Sequence, residues 1–479
     1  MTPRFHVSLF RSPGSKSSSV LLNSMPVGYD IPESTRSDAS LEWVTEQLEL
    51  CDSSHAACAA QGPTTLPKRV LDIGTTENDI IRLYTTKREP DRYVCLSHCW
   101  GTHPILKTLS NNLRKHEKEI SWADLPKTFQ EAIEFTRRLS VKYIWIDSLC
   151  IIQDDNEDWR EQGSEMADIY AKAYLTIAAA HSRDSRTGLY STVSPEYNVE
   201  TLDLSSLSIS LGDTDRVYAC RKVSHVGRRI IGSVYEQYPV DDDLPLLHRG
   251  WVFQERHLSR RVLFFTSQEL SWECVESMAC QCRGQSAQVS GTERALGVRG
   301  ASLAGFKRLM RESIDATDGS MKSQAMHTWL TMVKDYTSLQ LTYEKDVFPA
   351  LSGLARQMGK LIGTTYVAGL WDEFLLIGLC WHPDVRTTGG AQLGLRPSIW
   401  RAPSWSWASI KTPIDVIKDT RLRDTCQIVS FDYELAGSDP MGELRFTHSV
   451  YDGAQAIICS GGKADLEYVR PGVYEREDG

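Results

Sequence analysis

The 479-residue chain has no long hydrophobic run. Its longest near-continuous apolar stretch, Phe374 to Trp381, falls well short of the roughly 18 residues that cross a bilayer, so no membrane span is expected. The opening Met1-Thr2-Pro3-Arg4-Phe5-His6 lacks an apolar core followed by a small-residue cleavage site, which makes a cytoplasmic location the expectation. Positive charge is not in excess either: 53 Lys and Arg stand against 62 Asp and Glu, a formal charge of −9. With no basic tail or basic helix face, nucleic acid is not an expected partner. The chain also lacks a Gly-x4-Gly-Lys-Ser/Thr phosphate loop, a Gly-x-Gly-x-x-Gly turn after a strand, and any internal repeat. Those absences argue against a nucleotide-binding switch module, a Rossmann redox enzyme and a repeat scaffold.

Cysteine is sparse, twelve residues in the chain, far below the density of a disulfide scaffold. Structural zinc usually shows two close ligand pairs separated by a longer loop. Cys274, Cys280 and Cys282 have the wrong gaps for such pairs, and the nearest histidine is His257. Cys51, His55 and Cys58 form another loose group, but their spacing equally describes one face of a short helix. From spacing alone no metal is expected.

What is present suits a folded protein: 41% hydrophobic and 24% charged residues, with length for roughly two or three domains of about 150 residues. Residues 1–67 read as a Ser/Pro/Gly-rich leader and then an amphipathic helix from Ser40 to Cys58, with Leu41, Val44, Leu48 and Cys51 at helical intervals. Strands are expected at Val70–Ile73, Ile80–Leu83 and Tyr93–Ser97. Pro126 starts a helix with Phe129, Ala132, Ile133, Thr136 and Leu139 on one face, and the apolar run Tyr143–Ile146 follows. A second helix from about Asn156 carries Met166, Ile169, Tyr170 and Ala173, then runs into Leu175–Ala180. Strands alternating with helices imply a doubly wound parallel sheet over residues 68–290. Leu202 to Leu211 alternates like an exposed strand, and Asp241-Asp242-Asp243 marks a solvated loop. Residues 291–479 read as an additional α+β region, helical over Leu303–Leu339 and Ala350–Ala355, then aromatic strands and loops.

In open parallel sheets ligands bind beyond the carboxyl ends of the strands. Two segments end there: Tyr93-Val94-Cys95-Leu96-Ser97-His98-Cys99-Trp100-Gly101, and Tyr143-Ile144-Trp145-Ile146-Asp147-Ser148-Leu149-Cys150, which continues to Asp154 and Asp155. A third, His248-Arg249-Gly250-Trp251-Val252-Phe253-Gln254-Glu255-Arg256-His257, gathers polar side chains around an aromatic pair. Asp147, after four apolar strand residues, needs a partner such as Arg249 or Arg256 if it is not catalytic. Asp154 and Asp155 equally suit the start of a helix. Trp100, Trp145 and Trp251 serve first as core. Ser97 and His98 point to opposite sides of a strand and cannot pair with each other. Cys150 and His98 lie beyond strand ends that suit a nucleophile pair, although a small buried thiol is the commoner use.

Together the three segments resemble the fungal heterokaryon incompatibility (HET) domain: a strand ending Leu96-Ser97-His98-Cys99-Trp100-Gly101, the run Trp145 to Asp154 with Met166, Ile169 and Tyr170, and Arg249 to Glu255. The resemblance covers about residues 68–275. It implies a role in non-self recognition and programmed cell death, and a TIR-like core. Some TIR-type domains cleave the nicotinamide–ribose bond of NAD, so the resemblance implies NAD as a substrate and no other cofactor. Such cleavage needs a carboxylate near the ribose and a dry aromatic slot. Asp147, Glu161, His98 and Glu255 are then the catalytic candidates, and Ser97, Trp100, Gly101, Asp154, Asp155, Arg249, Trp251 and Arg256 the binding ones. Where many relatives carry glutamate four residues before the helix methionine, this chain has Gln162, with Glu161 the nearest carboxylate. The alternative to cleavage is signalling by assembly, with an incompatibility partner protein or with itself. A different reading is a secondary-metabolite tailoring enzyme, a cyclase, isomerase or lyase, in which Trp371, Trp381, Trp400, Trp405 and Trp407 enclose an apolar small molecule.

Overall fold

Tyr93–Ser97 is buried at every position, as are Tyr143–Ile146 and Leu175–Ala178. Runs of that kind belong in a sheet covered on both faces. The computed structural model describes residues 7–11, 25, 27–28, 31–58, 62–77, 79–202, 217–221, 244–282, 286–288, 297–312, 320–384, 394–416, 426–430, 433–437, 439–445 and 455–459. Contacts divide the chain into two units: Met1–His248 with Glu255–Glu312, and Arg249–Gln254 with Ser313–Gly479.

The first unit is built on a nine-stranded sheet. In chain order its strands are β1 (Arg69–Asp72), β2 (Arg82–Thr85), β3 (Tyr93–Ser97), β4 (Tyr143–Ile146), β5 (Leu175–Ala178), β6 (Arg261–Phe265), β7 (Leu270–Cys274), β8 (Ser277–Cys280) and β9 (Ser286–Gln288). Across the sheet they run β9-β8-β7-β6-β5-β3-β4-β1-β2. The central strands β4, β3, β5 and β6 are mutually parallel. Taken in chain order those four lie 2-1-3-4, so the connections diverge on either side of β3. The expectation of a parallel sheet therefore holds for the centre only. Both edges are antiparallel, with β1 and β2 beyond β4 and the β7–β8–β9 meander beyond β6.

Helices follow the apolar spacing. They are α1 (Asp38–Ser54), α2 (Lys127–Arg138), the single turn α3 (Asp147–Cys150), α4 (Asn156–Lys172) and α5 (Gly250–Leu258). Helix α2 buries Phe129, Ala132, Ile133 and Thr136, and also Phe135, which stacks edge-on against Phe265 of β6. Helix α1 stops at Ser54, four residues before the expected end, because His55 turns to an extended conformation. The expected strand at Ile80–Leu83 is displaced to Arg82–Thr85: Ile81 and Leu83 are buried, whereas Ile80 is 62% exposed. The leader is not wholly irregular, since Val7–Arg11 pairs with Val217–Arg221. Residues 203–211 and Asp241–Asp243 lie outside the described residues.

The second unit centres on α7 (Ser320–Tyr336) and α8 (Pro349–Ile362), while α6 (Gly297–Glu312) belongs to the first. Its core is aromatic. Trp329 packs edge-on against Tyr366 and Trp371, and Trp407 against Tyr336 and Phe348. The indole N–H groups of Trp329 and Trp407 both donate to the Gly369 carbonyl, at 3.1 and 2.9 Å. Trp371 and Trp407 are thus fully buried and packed against other aromatic side chains.

Candidate functional site

Where β3 ends, its last residue meets the third sequence segment. The Ser97 hydroxyl donates to the Glu255 carboxylate from α5, and both side chains are buried. The Tyr170 phenol from α4 is held well above its usual pKa, first by burial and then by the charge of Glu255. Ser97, Glu255 and Tyr170 come from all three of the segments read in the sequence.

A second cluster forms at the carboxyl end of the neighbouring strand. Asp147 is the first residue after β4, and its Oδ2 accepts the Trp100 indole N–H at 2.9 Å. Its Oδ1 accepts the Ser148 N–H at 2.6 Å and stands 3.8 Å from His98 Nδ1, beyond hydrogen-bond distance. The His98 ring lies edge-on to Phe129 at 4.9 Å. Its side chain is 1% exposed, against 24% for Asp147, so solvent reaches the carboxylate and not the imidazole. Trp100 carries Lys107 Nζ over its ring at 4.7 Å. Asp147 forms no bridge to Arg256: the Trp100 indole and the Ser148 backbone N–H engage its carboxylate instead.

Gly101 turns the chain away from this cluster with φ +74°, and a Cβ there would sit 2.3 Å from Asp184 Cβ. Gly101→Ala is expected to lower stability by about 1–3 kcal/mol through the left-handed backbone and the clash. A urea midpoint equal to that of the parent would contradict it.

The remaining candidates are engaged elsewhere. Asp154 accepts the Ser110 N–H and hydroxyl at 2.8 and 3.0 Å, and the Ser110 N–H holds its pKa below the usual range. Asp155 caps α4, accepting the Glu157 and Asp158 N–H groups at 2.9 and 3.1 Å. Glu161 is exposed and paired with Lys68, and Gln162 is buried with its amide toward Glu165. Arg256 is buried against Glu273, at 2.9 Å from its Nε. Arg249 and Trp251 belong to the second unit, where Arg249 bridges Gln340 and the Trp251 indole donates to Asp346 at 3.0 Å. Cys150 is wholly buried and burial pushes its thiol up to about 12, which leaves it no nucleophile for His98 to activate.

The buried charges Arg69, Glu273 and Lys307 escaped the sequence reading. Arg69 pairs with Asp158, and Arg256 and Lys307 converge on Glu273. Tyr170 was visible as an apolar-face residue of a helix and as part of the family resemblance, with nothing in the sequence to place it beside Glu255. A charged residue in a strand or helix gives no sign of burial until its partner is known, and these partners come from remote stretches of chain.

The fold and this cluster define a mixed α/β domain with a polar, carboxylate-bearing site at the carboxyl ends of its central parallel strands. Residues 93–255 match the family described as Heterokaryon incompatibility protein (HET). The match and the relative below support a HET domain over this segment, and Ser97, His98, Trp100, Asp147, Tyr170 and Glu255 all lie within it. It is similar to "Heterokaryon incompatibility protein 6, OR allele" of Neurospora crassa, 32% identical over 138 residues. That similarity covers 26% of this chain and about a fifth (20%) of the relative's own length. No solved structure matches the chain. Among the described residues no helix is long and apolar enough to cross a membrane.

Proposed function

We propose that this protein acts in fungal heterokaryon incompatibility as a cytoplasmic effector of cell death, and that its HET domain cleaves NAD with Asp147 as the essential carboxylate. The observation that carries the reading is the placement of Asp147. It is a part-exposed carboxylate at the end of the second parallel strand, beside the strand from which the connections diverge, held by the indole of Trp100. The 2-1-3-4 order of the parallel strands supports a TIR-like arrangement, since doubly wound sheets of that order bind ligands at this point.

In the proposed reaction the bond between ribose C1′ and the nicotinamide nitrogen breaks, and its electron pair neutralises the pyridinium. Asp147 stabilises the positive charge that develops at C1′, and water then bonds to C1′ and loses a proton, giving ADP-ribose and nicotinamide. The half-buried Trp100 ring offers a stacking surface while its N–H keeps Asp147 aimed. The buried Ser97–Glu255–Tyr170 group acts as a positioning set behind β3. Assembly with an incompatibility partner, or with further copies of the chain, would set when the reaction runs.

The test is nicotinamide release, followed by chromatography, from NAD incubated with the purified full chain over a range of protein concentrations. Release is expected to fall by about 100-fold or more in a folded Asp147→Asn variant. A steeper than linear rise with concentration would mark assembly as the trigger. No nicotinamide at any concentration would overturn NAD cleavage, and undiminished release by Asp147→Asn would remove Asp147 from the role.

A further inference from the structure

We propose that Cys51, His55, Cys58 and Cys274 form a structural zinc site that fastens the N-terminal helix to the antiparallel edge of the sheet. The three sulfurs and a histidine ring nitrogen all lie within 4.8 Å of one another. Cys51 sits in the last turn of α1. His55 then leaves the helix in an extended conformation, and the following turn, closed by the Cys58 N–H on the His55 carbonyl at 3.0 Å, brings Cys58 round beside it. The fourth ligand, Cys274, ends β7 and lies 219 residues beyond His55. The spacing of the first three describes a helix face only if the helix continues, and it does not.

The geometry suits a tetrahedral ion. Bonds of about 2.3 Å to sulfur and about 2.0 Å to nitrogen place neighbouring ligand atoms about 3.5–3.8 Å apart. His55 Nδ1 lies 3.4 Å from Cys274 Sγ. A set of three thiolates and one imidazole is a common structural zinc arrangement, and with every position filled by protein it leaves none open for substrate.

The surroundings are built for thiolates. The Ser277 N–H donates to Cys274 Sγ at 3.2 Å, and the buried Arg261 guanidinium donates Nε–H to Cys51 Sγ at 3.3 Å. Arg261 also holds the Cys58 carbonyl at 3.1 Å and pairs with Asp52, fixing both ends of the ligand loop. The Ala57 N–H donates to Glu276 Oε1 at 2.7 Å, tying that loop to the β7–β8 turn. Outer contacts of this kind orient ligands and are as much part of a metal site as the ligands themselves. All three cysteines are fully buried and none is disulfide-bonded. On binding, three thiol protons pass to solvent and the imidazole lone pair and three thiolates bond to the ion, with no change of oxidation state.

A second group, Glu269, Cys280 and Cys282, lies on the same edge of the sheet and supplies the control. The experiment is metal analysis of the purified full chain, with cobalt(II) titrated into chelator-treated protein. The expected results are about one zinc per chain and, with cobalt, the visible spectrum of a tetrahedral thiolate site. Cys274→Ser and Cys58→Ser should lose the zinc, while Cys282→Ser keeps it. Should the serine variants fail to fold, wild-type protein decides: chelation should lower its melting temperature and added zinc restore it. A chain without zinc and without a cobalt–thiolate spectrum overturns the assignment. So does a disulfide among these cysteines, or loss of zinc from Cys282→Ser but not from Cys274→Ser.

Discussion

Glu273→Ala is expected to lose about 3–5 kcal/mol of stability, enough to leave the first unit largely unfolded or insoluble on expression. Glu273 is 1% exposed, and it is the shared partner of two buried cations. Arg256 Nε reaches it at 2.9 Å and Lys307 Nζ at 2.6 Å, with Arg256 also stacked over Phe264. Burial opposes the carboxylate's charge, but the two cations outweigh it and bring its pKa to about 2. Removing Glu273 leaves two positive groups facing each other in the interior, where a cation without a counter-charge is far costlier than a missing ion pair. Lys307→Met should do much less harm, because Arg256 and Glu273 still neutralise each other and the lysine stem is replaced in kind. Urea denaturation followed by far-UV circular dichroism measures both. A Glu273→Ala midpoint within about 1 kcal/mol of the parent would show that water or rearrangement replaces the lost charge.

That triad also marks the limit of what the sequence discloses. The period of 3.6 in Lys127–Arg138 and Asn156–Lys172, and the unbroken apolar runs of Tyr143–Ile146 and Leu175–Ala178, are local signals, and the structure follows them. Leu270-Ser271-Trp272-Glu273-Cys274 alternates as a half-exposed strand would, yet all five residues are buried. What reverses the pattern is Arg256 and Lys307, remote in sequence and without any local mark. The candidate site divides along the same line. Asp147 and Trp100 stand out because a polar residue after an apolar strand needs a reason, and their hydrogen bond joins segments 47 residues apart. Arg256, singled out as a polar residue beside an aromatic pair, answers to Glu273, and Asp155 answers to the first turn of its own helix. The antiparallel edges of the sheet were hidden because strand direction depends on how the chain returns, which periodicity does not record. Cys274 was set apart from Cys51, His55 and Cys58 for a related reason: spacing finds ligands only when they are close in sequence.

Asp158→Asn is expected to remove about 3 kcal/mol or more at neutral pH and to flatten the acid limb of the stability profile. Asp158 is buried in the first turn of α4, where it pairs with the buried Arg69 and with Lys68 at 3.2 Å, and accepts the Ile152 N–H at 2.9 Å. Arg69 in turn donates to the Cys150 carbonyl at 2.8 Å. One carboxylate thus ties β1, α4 and the loop that follows Asp147 to each other. Asparagine retains the size and can still accept from Ile152, but it leaves the Arg69 guanidinium buried without its counter-charge. Burial raises the Asp158 pKa, but Arg69, the Ile152 N–H and Lys68 lower it by more, so its folded value lies below the usual one. A depressed carboxylate contributes stability that is complete above the unfolded value of about 3.9 and is lost as pH falls through the lower, folded value. The gap between parent and variant should therefore be full at pH 7, persist down to about pH 4–5, and close below it. Because that loop follows directly on the α3 turn that Asp147 opens, the proposed NAD cleavage should weaken as well in a still-folded Asp158→Asn, through a displaced rather than a missing carboxylate. Unfolding midpoints at neutral and acid pH check this: equal midpoints at pH 7, or a gap that widens on acidification, would remove Asp158 as the anchor of that loop.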